Sequence, residues 1–423
     1  MEEWKEYKLE EVTSILGDGI HGTPKYDDEG NVFFINGNNL ENGKIVIKEN
    51  TKRVSSEEAI KHSRPLSNRT ILVSINGTLG NVAKYNGELC ILGKSACYFN
   101  VNEDVDLDFI YYVVANNQFK DTITRLATGT TIKNVSLKTM REYSFWMPSK
   151  ETQKRVSAIL KSLDDKIEVN RRINEQLEEL AGVLFKSWFV DFEPFKDGEF
   201  VDSELGMIPK GWKVGTFSNV VDSTLGGDWG KENEQGNYTK EVFCIRGADI
   251  PEIKIGNRGK MPIRYILEKN FAKKSLANND LVVEISGGSP TQSTGRVCRV
   301  TSELLEKYNN SLICTNFCRA IKPFADYSAY IYYYWQYLYD QGTMFNYENG
   351  TTGIKNLMIN DILDKEPIVI PPINIVEQYK DVVETFATKI QKNGEEIEKL
   401  TTLRDTLLPK LMSGEIDVNE VEI

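Results

Sequence analysis

Two glycine-rich stretches of the sequence have spacings close to those of nucleotide-binding loops. Residues 17–22 read Gly-Asp-Gly-Ile-His-Gly, which is the spacing of a dinucleotide-binding turn, and residues 87–95 run from Gly87 through Gly93 to Lys94 and Ser95. The first stretch is followed by turn-forming residues instead of a helix. The second has five residues between its glycines, where a phosphate-binding loop has four. We therefore expect no nucleotide site at either position.

The inventory of catalytic side chains is equally restrictive. The chain has 2 histidines, His21 and His62, which nearly excludes a multi-histidine metal site or a pair of histidine-dependent centres. Its 6 cysteines form no Cys-x-x-Cys pair and are expected to be reduced, buried thiols. No serine–histidine–carboxylate or clustered-carboxylate arrangement stands out. The sequence predicts no catalytic site and no metal site in this chain.

The charge of the chain is acidic overall but uneven. A formal net charge of −11 argues against nonspecific coating of nucleic acid, though not against a local basic face. Between Lys254 and Lys274, lysines and arginines recur with a single acid, Glu268. This segment either tracks a phosphate backbone or is a solvated loop whose charge is compensated by acids elsewhere in the fold.

The beginning of the sequence, Met1–Lys5, is charged and has no apolar segment behind it. No stretch approaches the roughly 20 apolar residues of a membrane span. We expect a cytoplasmic protein without a secretory leader and without membrane contact.

The sequence contains an internal repeat of about half its length. Both halves have an opening Trp-Lys, an apolar strand that leads into a glycine loop, an aromatic-Ile-Tyr-Tyr helix and a Gly-Thr-Thr segment that ends in Ile-Lys-Asn. Each half then has a proline stop followed by a long helical pattern. We infer a duplicated fold. The paired landmarks are Trp4 and Trp212, Ser74–Gly77 and Ser286–Gly288, Phe109–Tyr112 and Tyr330–Tyr333, and Gly129–Asn134 and Gly350–Asn356.

The Gly-Thr-Thr segments carry polar residues that the two halves share. Threonine, lysine and asparagine can bind phosphate oxygens, and such contacts are blind to base sequence. We predict contacts to a nucleic-acid backbone here, with helix capping or a fold role as an equal alternative. The residues are Thr130, Thr131, Lys133 and Asn134 in the first half, and Thr351, Thr352, Lys355 and Asn356 in the second.

A loop near the start of each half diverges in sequence. Residues 21–26 stand in roughly the same place as residues 226–231. Such a loop offers glycine for close approach, lysine for phosphate or guanine, and polar side chains for base edges. A turn without a partner is the alternative. The predicted base-reading residues are His21, Thr23, Lys25, Tyr26, Asp228, Trp229 and Lys231.

Long helices are predicted after the two proline stops. Apolar residues and asparagines alternate spacings of four and three from Leu163 onward, as in a coiled-coil seam, and the pattern returns in the second half. A buried seam asparagine fixes register, so Asn170 and Asn393 are predicted to align the two helices. Alternatively, each helix packs on its own globular module. The seam comprises Leu163, Ile167, Asn170, Leu177 and Leu184, with Asn174 and Ala181 between them, and Phe386, Ile390, Asn393, Ile397, Leu400 and Leu407, with Arg404.

The tyrosine-rich run Tyr330–Tyr339 has side chains that can stack on bases. It aligns, however, with the plainer run Phe109–Val114. A packed core helix is therefore the better interpretation.

Three short sequence segments, in and after the predicted long helices, resemble those of a known protein family. They are Leu184–Phe192, Gly206–Trp212 and Leu407–Ile416. Across both copies, the chain resembles the specificity subunits of type I restriction-modification enzymes. The resemblance implies an α+β fold in which two pseudo-twofold related target recognition domains of mixed α/β structure are separated by two long antiparallel coiled-coil helices. The implied ranges are 1–148 and 209–372 for these domains, 149–190 for the first helix, 191–208 for a linker, and 373–423 for the second helix and tail.

The resemblance also implies DNA recognition without catalysis in this chain. Each recognition domain would read one half of an asymmetric bipartite site in double-stranded DNA. Two methyltransferase subunits would dock on the helices and methylate adenine N6 with S-adenosylmethionine. Restriction subunits, attached through them, would use ATP and Mg²⁺. No cofactor is expected in the chain itself.

Other functional classes stay open on sequence alone. One is an enzyme whose duplicated modules form a cleft with carboxylate chemistry, and another is a scaffold that joins partners through its helices without DNA. Among restriction systems, the partner nuclease is either separate from the methyltransferase or fused to it.

Overall fold

The computed structural model describes residues 4–289, 292–350 and 355–418. Its contacts divide the chain into unit 1, which is Met1–Asp165 with Leu400–Ile423, and unit 2, which is Lys166–Lys399. Both units mix helices and strands, and two helices of 40 residues each contribute to both. The predicted α+β class with two long helices is confirmed.

Unit 1 is built around a four-stranded antiparallel sheet. Its strands are β1 (Lys5–Lys8), β2 (Thr13–Asp18), β3 (Val32–Ile35), β4 (Leu40–Glu41), β5 (Lys44–Ile45), β6 (Arg53–Val54), β7 (Thr70–Ser74), β8 (Val82–Lys84), β9 (Cys90–Leu92), β10 (Ala96–Val101) and β11 (Ser144–Met147). Its helices are α1 (Ser56–Lys61), α2 (Leu107–Ala115), α3 (Asn117–Leu126), α4 (Leu137–Arg141) and the first part of α5 (Lys150–Phe189). The main sheet has the order β2-β10-β7-β8, a second sheet has the order β6-β3-β9, and β1 pairs with β11. Strand β7 is buried along its whole length, as the apolar run Ile71–Val73 at its centre predicts.

Unit 2 repeats this plan. Its strands are β12 (Phe200–Val201), β13 (Ile208–Pro209), β14 (Lys213–Thr216), β15 (Val221–Gly226), β16 (Tyr238–Ile245), β17 (Ile263–Leu267), β18 (Leu281–Glu284), β19 (Ser286–Gly287), β20 (Val297–Arg299), β21 (Leu312–Cys314), β22 (Cys318–Pro323), β23 (Glu348–Asn349), β24 (Lys355–Leu357) and β25 (Pro367–Ile370). Its helices are α6 (Ile250–Lys254), α7 (Glu268–Lys274), α8 (Ser302–Lys307), α9 (Ser328–Asp340), α10 (Ile359–Lys365) and part of α11 (Ile373–Met412). The main sheet has the order β15-β22-β18-β20, the second sheet has the order β17-β16-β21, and β14 pairs with β25. In both units the second sheet contains one parallel pair. These matching orders confirm the duplicated plan.

Close backbone contacts within each unit show which residues of the two repeats are equivalent. A side chain on Gly19 would lie 2.1 Å from the carbonyl oxygen of Leu92, and one on Gly227 would lie 2.0 Å from that of Thr315. The residue after each glycine donates its N–H to the strand that the glycine touches. His21 is therefore equivalent to Trp229. The rough match of residues 21–26 with 226–231 is therefore corrected by three positions, to the offset of 208 that also relates Trp4 to Trp212.

The tyrosine-rich run forms the buried helix of unit 2. In α9, Tyr330 and Trp335 are fully buried, and the phenol ring of Tyr330 lies 4.9 Å from that of Phe189. The prediction of a core helix is confirmed. The segment 191–208, predicted as a linker, contains β12 and the first residue of β13, which pair as a hairpin. The ring of Phe195 in this segment lies 5.1 Å from that of Trp212.

In unit 2 the two long helices are antiparallel and are joined by buried asparagines. The Asn174 Nδ2 donates to the carbonyl of Ile390 at 3.0 Å, and the Asn393 Nδ2 donates to Asn174 Oδ1 at 2.8 Å. Asn170 lies one turn earlier and donates to the carboxylate of Glu396 at 2.8 Å. Contacts that run in opposite directions along the two helices define their antiparallel orientation.

A third element enters this seam. The carbonyl of Ile255, just after α6, accepts from Asn174 Nδ2 at 2.9 Å. The Gly256 carbonyl oxygen lies so close to Gly394 that a Cβ there would stand 2.1 Å from it. Gly394 is therefore needed in the middle of α11 because the loop backbone passes against the helix.

The predicted seam is only partly apolar and only partly buried. The buried positions are Ile167, Asn170, Asn174, Ala181, Ile390, Asn393 and Ile397. The remaining predicted positions are half-buried, because the later part of α5 directs Phe185 and Phe189 into the core of unit 2. The later part of α5 therefore follows neither a continuous seam nor the alternative of a helix packed on its own module, because it packs on residues of the second half of the sequence. The half-buried positions are Leu163, Leu177, Leu184, Phe386, Leu400 and Leu407.

In unit 1 the beginning of α5 meets the end of α11. The Arg404 guanidinium donates to Asp164 at 2.7 Å, and the same carboxylate accepts from the Tyr112 hydroxyl at 2.7 Å. Burial beside this carboxylate raises the pKa of the Tyr112 phenol. Leu160 packs in the core below this network.

The six cysteines are free thiols, and all except Cys90 are buried. Burial raises the pKa of the Cys90 thiol to about 12, and the nearby Glu88 carboxylate adds to the effect. The prediction that the thiols are mostly buried is confirmed. No helix in the described part of the chain combines the length and apolar character needed to cross a membrane.

Candidate nucleic-acid interface

A cavity of about 460 Å³ opens in unit 1 where the ends of several strands meet. It lies beside the ends of β2, β7 and β9 and the beginning of α4. This arrangement brings together polar side chains from separate parts of the sequence. Its polar lining consists of Asp18, His21, Asn76, Lys94, Asn134 and Ser136.

Two amide side chains form one wall of this cavity. The Asn76 Nδ2 donates to Asn134 Oδ1 at 3.1 Å, and the two residues are also paired through their backbones. Gly77 has a φ of 76°, which turns the chain sharply after β7, and its N–H donates to the Lys133 carbonyl at 3.1 Å. Each amide retains hydrogen-bonding capacity that can meet a base edge.

Ionisable groups also line this cavity. The His21 ring is 2.8 Å from the Asp18 carboxylate, and its side chain is 75% exposed. Lys94 is exposed and stands immediately after β9 and Gly93. The cavity therefore combines an ammonium group, an imidazole and two amides, the groups that bind phosphate and base edges in protein–DNA complexes.

The remaining predicted base-reading residues of unit 1 lie outside this cavity. Thr23, Lys25 and Tyr26 are exposed, and the Lys25 backbone N–H donates to the Glu58 carboxylate at 2.9 Å. The Tyr26 ring packs 5.8 Å from the ring of Phe34. This part of the loop is anchored on α1 and the second sheet, so the structure separates His21 from its three predicted companions.

The Gly-Thr-Thr segment of unit 1 is a solvated loop. Thr130, Thr131, Lys133 and Asn134 are exposed, and Gly129 has a φ of 97°. Only Asn134 reaches the cavity lining in the described structure. Thr130, Thr131 and Lys133 lie just before Asn134 in sequence, and their side chains are exposed to solvent.

The equivalent segment of unit 2 differs in its charges. Asn356 pairs with Ser286 and Asn349 through the backbone, as Asn134 does with Asn76 and Thr128 in unit 1. Lys355, however, is 2.8 Å from the Glu348 carboxylate. Thr351 and Thr352 lie outside the described residues.

Asp228, predicted to read bases, makes hydrogen bonds within unit 2. Its carboxylate accepts from the N–H groups of Trp229 and Gly230 and from Asn270 Nδ2, and it lies 3.3 Å from Lys274. Although burial raises the pKa of this carboxyl group, those hydrogen bonds outweigh it and lower the pKa. These contacts stabilise the turn, and base reading by Asp228 stays a prediction.

Trp229 and Lys231 remain accessible. The Arg264 guanidinium lies 3.8 Å from the centre of the Trp229 ring, which holds the indole in place by a cation–π contact. The Lys231 ammonium is 5.6 Å from the Tyr238 ring. Unit 2 therefore presents an indole at the position where unit 1 presents an imidazole.

The basic segment between Lys254 and Lys274 is largely compensated by acids. Lys254 lies 3.8 Å from Glu178, and Lys274 is held by Asp228. Arg258 and Arg264 are likewise paired with glutamates. The alternative of a charge-compensated segment is therefore the correct one for these four residues.

Asn76 and Lys94 are candidates that the sequence analysis missed. Each follows an apolar strand and stands next to a glycine, which was the available signal. Lys94 was considered only as part of a phosphate-binding loop and was dropped with it. At the position equivalent to Ser95, unit 2 has Phe317, whose side chain is 61% exposed.

Within the described residues, no three histidine, cysteine, aspartate or glutamate side chains are grouped so that they could hold a metal ion. The polar groups of the cavity are suited to hydrogen bonding and charge contacts. Among them, the His21 ring is hydrogen-bonded with Asp18 and the Ser136 hydroxyl with Thr139.

Comparisons with known proteins agree with this geometry. Residues 1–179 match the family model described as the type I restriction modification DNA specificity domain. The specificity subunit of type I restriction enzyme MjaIX from Methanocaldococcus jannaschii is 26% identical over 433 residues, which cover 99% of this chain and 95% of that protein. The HindI specificity subunit from Haemophilus influenzae is 24% identical, with 98% and 100% covered.

A solved structure supports the fold. The crystal structure of a type I restriction-modification S subunit from M. genitalium has a TM-score of 0.52 and 17% identity, and the alignment covers 97% of this chain and 96% of that one. The family model over residues 1–179, the two relatives matched over nearly their whole length and the fold agree that the chain is similar to type I restriction-modification specificity subunits.

Proposed function

We propose that this chain reads an asymmetric, bipartite site in double-stranded DNA, one half-site with each unit. The observation that carries the proposal is the contrast between identical strand orders and different side chains at equivalent positions. His21 of unit 1 corresponds to Trp229 of unit 2, and both precede a loop on the same strand edge. A shared frame with divergent polar and aromatic groups suits two readers of different sequences.

The groups in the unit 1 cavity have the chemistry that this reading needs. Asparagine can pair with adenine through N6 and N7, and lysine can bind guanine O6 and N7 or a phosphate. Asn76, Asn134 and Lys94 supply these groups from one wall and one edge of the cavity. In unit 2 the exposed rings of Trp229 and Phe317 favour apolar contacts, such as those with thymine methyl groups.

The catalytic steps belong to partner subunits in this proposal. Two methyltransferase subunits bind the long helices and methylate adenine N6 with S-adenosylmethionine, and restriction subunits that use ATP and Mg²⁺ join through them. Exposed apolar side chains on α5 support a docking role, since Leu180 and Val183 are 49% and 58% exposed. The chain itself uses no cofactor and works in the cytoplasm.

The half-site assignment is tested by mapping methyladenines in a host that carries the complete system. We expect Asn76→Ala or Lys94→Ala to change the methylated motif in one half only, and Trp229→Ala to change the other half only. Lys210→Ala is the charge-matched control, because this exposed lysine pairs with Glu199 on the β12–β13 hairpin. Variants of both units that alter the same half, or none, would contradict the proposal.

Partner docking is tested separately by copurification. Val183→Glu places a charge on the exposed apolar face of α5 and should remove the methyltransferase from the purified complex while DNA binding by the chain persists. Retention of the methyltransferase by this variant would exclude that face of α5 as its docking site.

A further inference from the structure

Each unit has a lysine at the same structural position, but the charged groups around the two lysines differ. In unit 1, Asn134 pairs with Thr128 across the loop, and in unit 2, Asn356 pairs with Asn349. The residue before each asparagine is Lys133 or Lys355. One residue before Thr128 stands Ala127, and one residue before Asn349 stands Glu348. Ala127 and Glu348 are therefore equivalent, as are the two lysines.

Glu348 binds its lysine within the fold. The Lys355 ammonium lies 2.8 Å from Glu348 Oε2, and the Glu348 side chain is only 7% exposed. Its other oxygen, Oε1, accepts from the Thr294 N–H at 2.6 Å and from the Thr294 hydroxyl at 2.9 Å. The Lys355 ammonium also lies 4.6 Å from the centre of the Phe345 ring. The charge of Lys355 is thus compensated by Glu348, and its ammonium also contacts the Phe345 ring.

The protonation of Glu348 agrees with this arrangement. Burial raises the pKa of its carboxyl group, but the hydrogen bonds from Lys355 and Thr294 outweigh burial and lower the pKa. The carboxylate is therefore charged at neutral pH and keeps the ammonium paired.

Lys133 has no such partner. Its side chain is exposed, the equivalent of Glu348 is the uncharged Ala127, and no ion pair of Lys133 exists among the described residues. Its ammonium is free to replace a counterion on a phosphate, whereas that of Lys355 must first leave a buried carboxylate.

We propose that the Glu348 carboxylate, by pairing with Lys355, prevents this lysine from contacting DNA phosphate. Lys133 of unit 1 then contributes to sequence-independent DNA binding, and its equivalent in unit 2 does not. This inference rests on the proposed DNA-binding function. It replaces the expectation that the two lysines act alike, which came from their identical sequence context. Unit 2 then depends more on contacts with the bases than unit 1 does.

The test measures the salt dependence of binding by the full chain to a fluorescent duplex without a target site. The logarithm of the affinity falls with the logarithm of salt concentration by about 0.9 per phosphate contact. Lys133→Ala should flatten this slope by about 0.9, and Lys355→Ala should leave it unchanged. Ala127→Glu should reproduce the effect of Lys133→Ala by placing a carboxylate beside that lysine.

The conservative variant Glu348→Gln provides the decisive measurement. Glutamine keeps an acceptor for Thr294 but lacks the charge, so the slope should steepen by about 0.9, and Glu348→Gln combined with Lys355→Ala should return it to the original value. An unchanged melting temperature shows that the variants fold. Equal flattening by Lys133→Ala and Lys355→Ala, or an unchanged slope in Glu348→Gln, overturns the inference alone. No salt-dependent binding by the unsubstituted chain overturns the proposed function as well.

Discussion

Replacing Asn174 by alanine should destabilise unit 2 far more than the same change at Asn170. The Asn174 side chain is fully buried and makes three hydrogen bonds, which join α5, α11 and the loop at Ile255. Its loss leaves the Ile255 carbonyl and the Asn393 amide without these partners inside the protein. Since a buried polar group that loses its partner costs about 1–3 kcal/mol, we expect a loss of about 3 kcal/mol in the free energy of unfolding.

Asn170 provides the matched comparison. It is nearly as buried, but its single bond goes to Glu396, whose side chain is 44% exposed and can be solvated without it. Asn170→Ala should cost about 1 kcal/mol. Urea unfolding followed by far-ultraviolet circular dichroism measures both changes, and hydrogen exchange at the amides around Ile255 shows whether the loop detaches. Equal losses for the two variants, or full protection of the loop in Asn174→Ala, would refute the reasoning.

Two further stability predictions concern backbone contacts and pH. Gly19→Ala and Gly227→Ala should each lower stability by about 2–3 kcal/mol in thermal melts, because the added methyl group would meet a carbonyl oxygen, whereas Gly22→Ala has open space and should be neutral. Asp249→Asn should cost about 2 kcal/mol at pH 7. Although burial raises the pKa of the Asp249 carboxyl group, the hydrogen bonds from Arg246 and from backbone N–H groups lower it. The stabilisation is therefore present above about pH 3.9 and is lost as the pH falls further. Urea midpoints between pH 7 and pH 2 should converge for the two proteins, and parallel curves would contradict this.

The duplicated plan was predictable because its signals are local. Short apolar runs, glycine turns and heptad spacings each depend on a few neighbouring residues, and they recur in both halves. The alignment of the divergent loops follows from the offset of 208 between Trp4 and Trp212, which carries His21 onto Trp229. What the sequence did not show is why Gly19 and Gly227 are required, since each contacts a strand more than seventy residues away.

The charge state of a shared residue is also non-local. Lys133 and Lys355 follow the same Gly-Thr-Thr pattern, and the sequence analysis treated them alike. What separates them is one residue on the strand opposite, Ala127 in one unit and Glu348 in the other. Because strand register decides which residues face each other, a sequence motif can be conserved between repeats while its electrostatic role is not.

The helix seam shows the same limit. Heptad spacing correctly placed Asn170, Asn174 and Asn393 on the facing surfaces, since that geometry follows from the helical repeat. It gave no indication that a loop carbonyl from Ile255 would enter between the helices. Gly394 was the available signal, since a glycine inside a long helix is unfavourable unless another backbone approaches it.

Divergent recognition on a constant frame has a physical basis in these units. The loop that begins at Gly19 or Gly227 is placed by a backbone N–H that donates to a backbone carbonyl, at 2.8 Å in unit 1 and 2.9 Å in unit 2. Such bonds use no side-chain atom, so they tolerate an imidazole at one position and an indole at its equivalent. Side chains that face the cavity can therefore change without moving the strands that hold them. Substitutions at His21 or Trp229 should accordingly alter what is bound while leaving the melting temperature of the protein nearly unchanged.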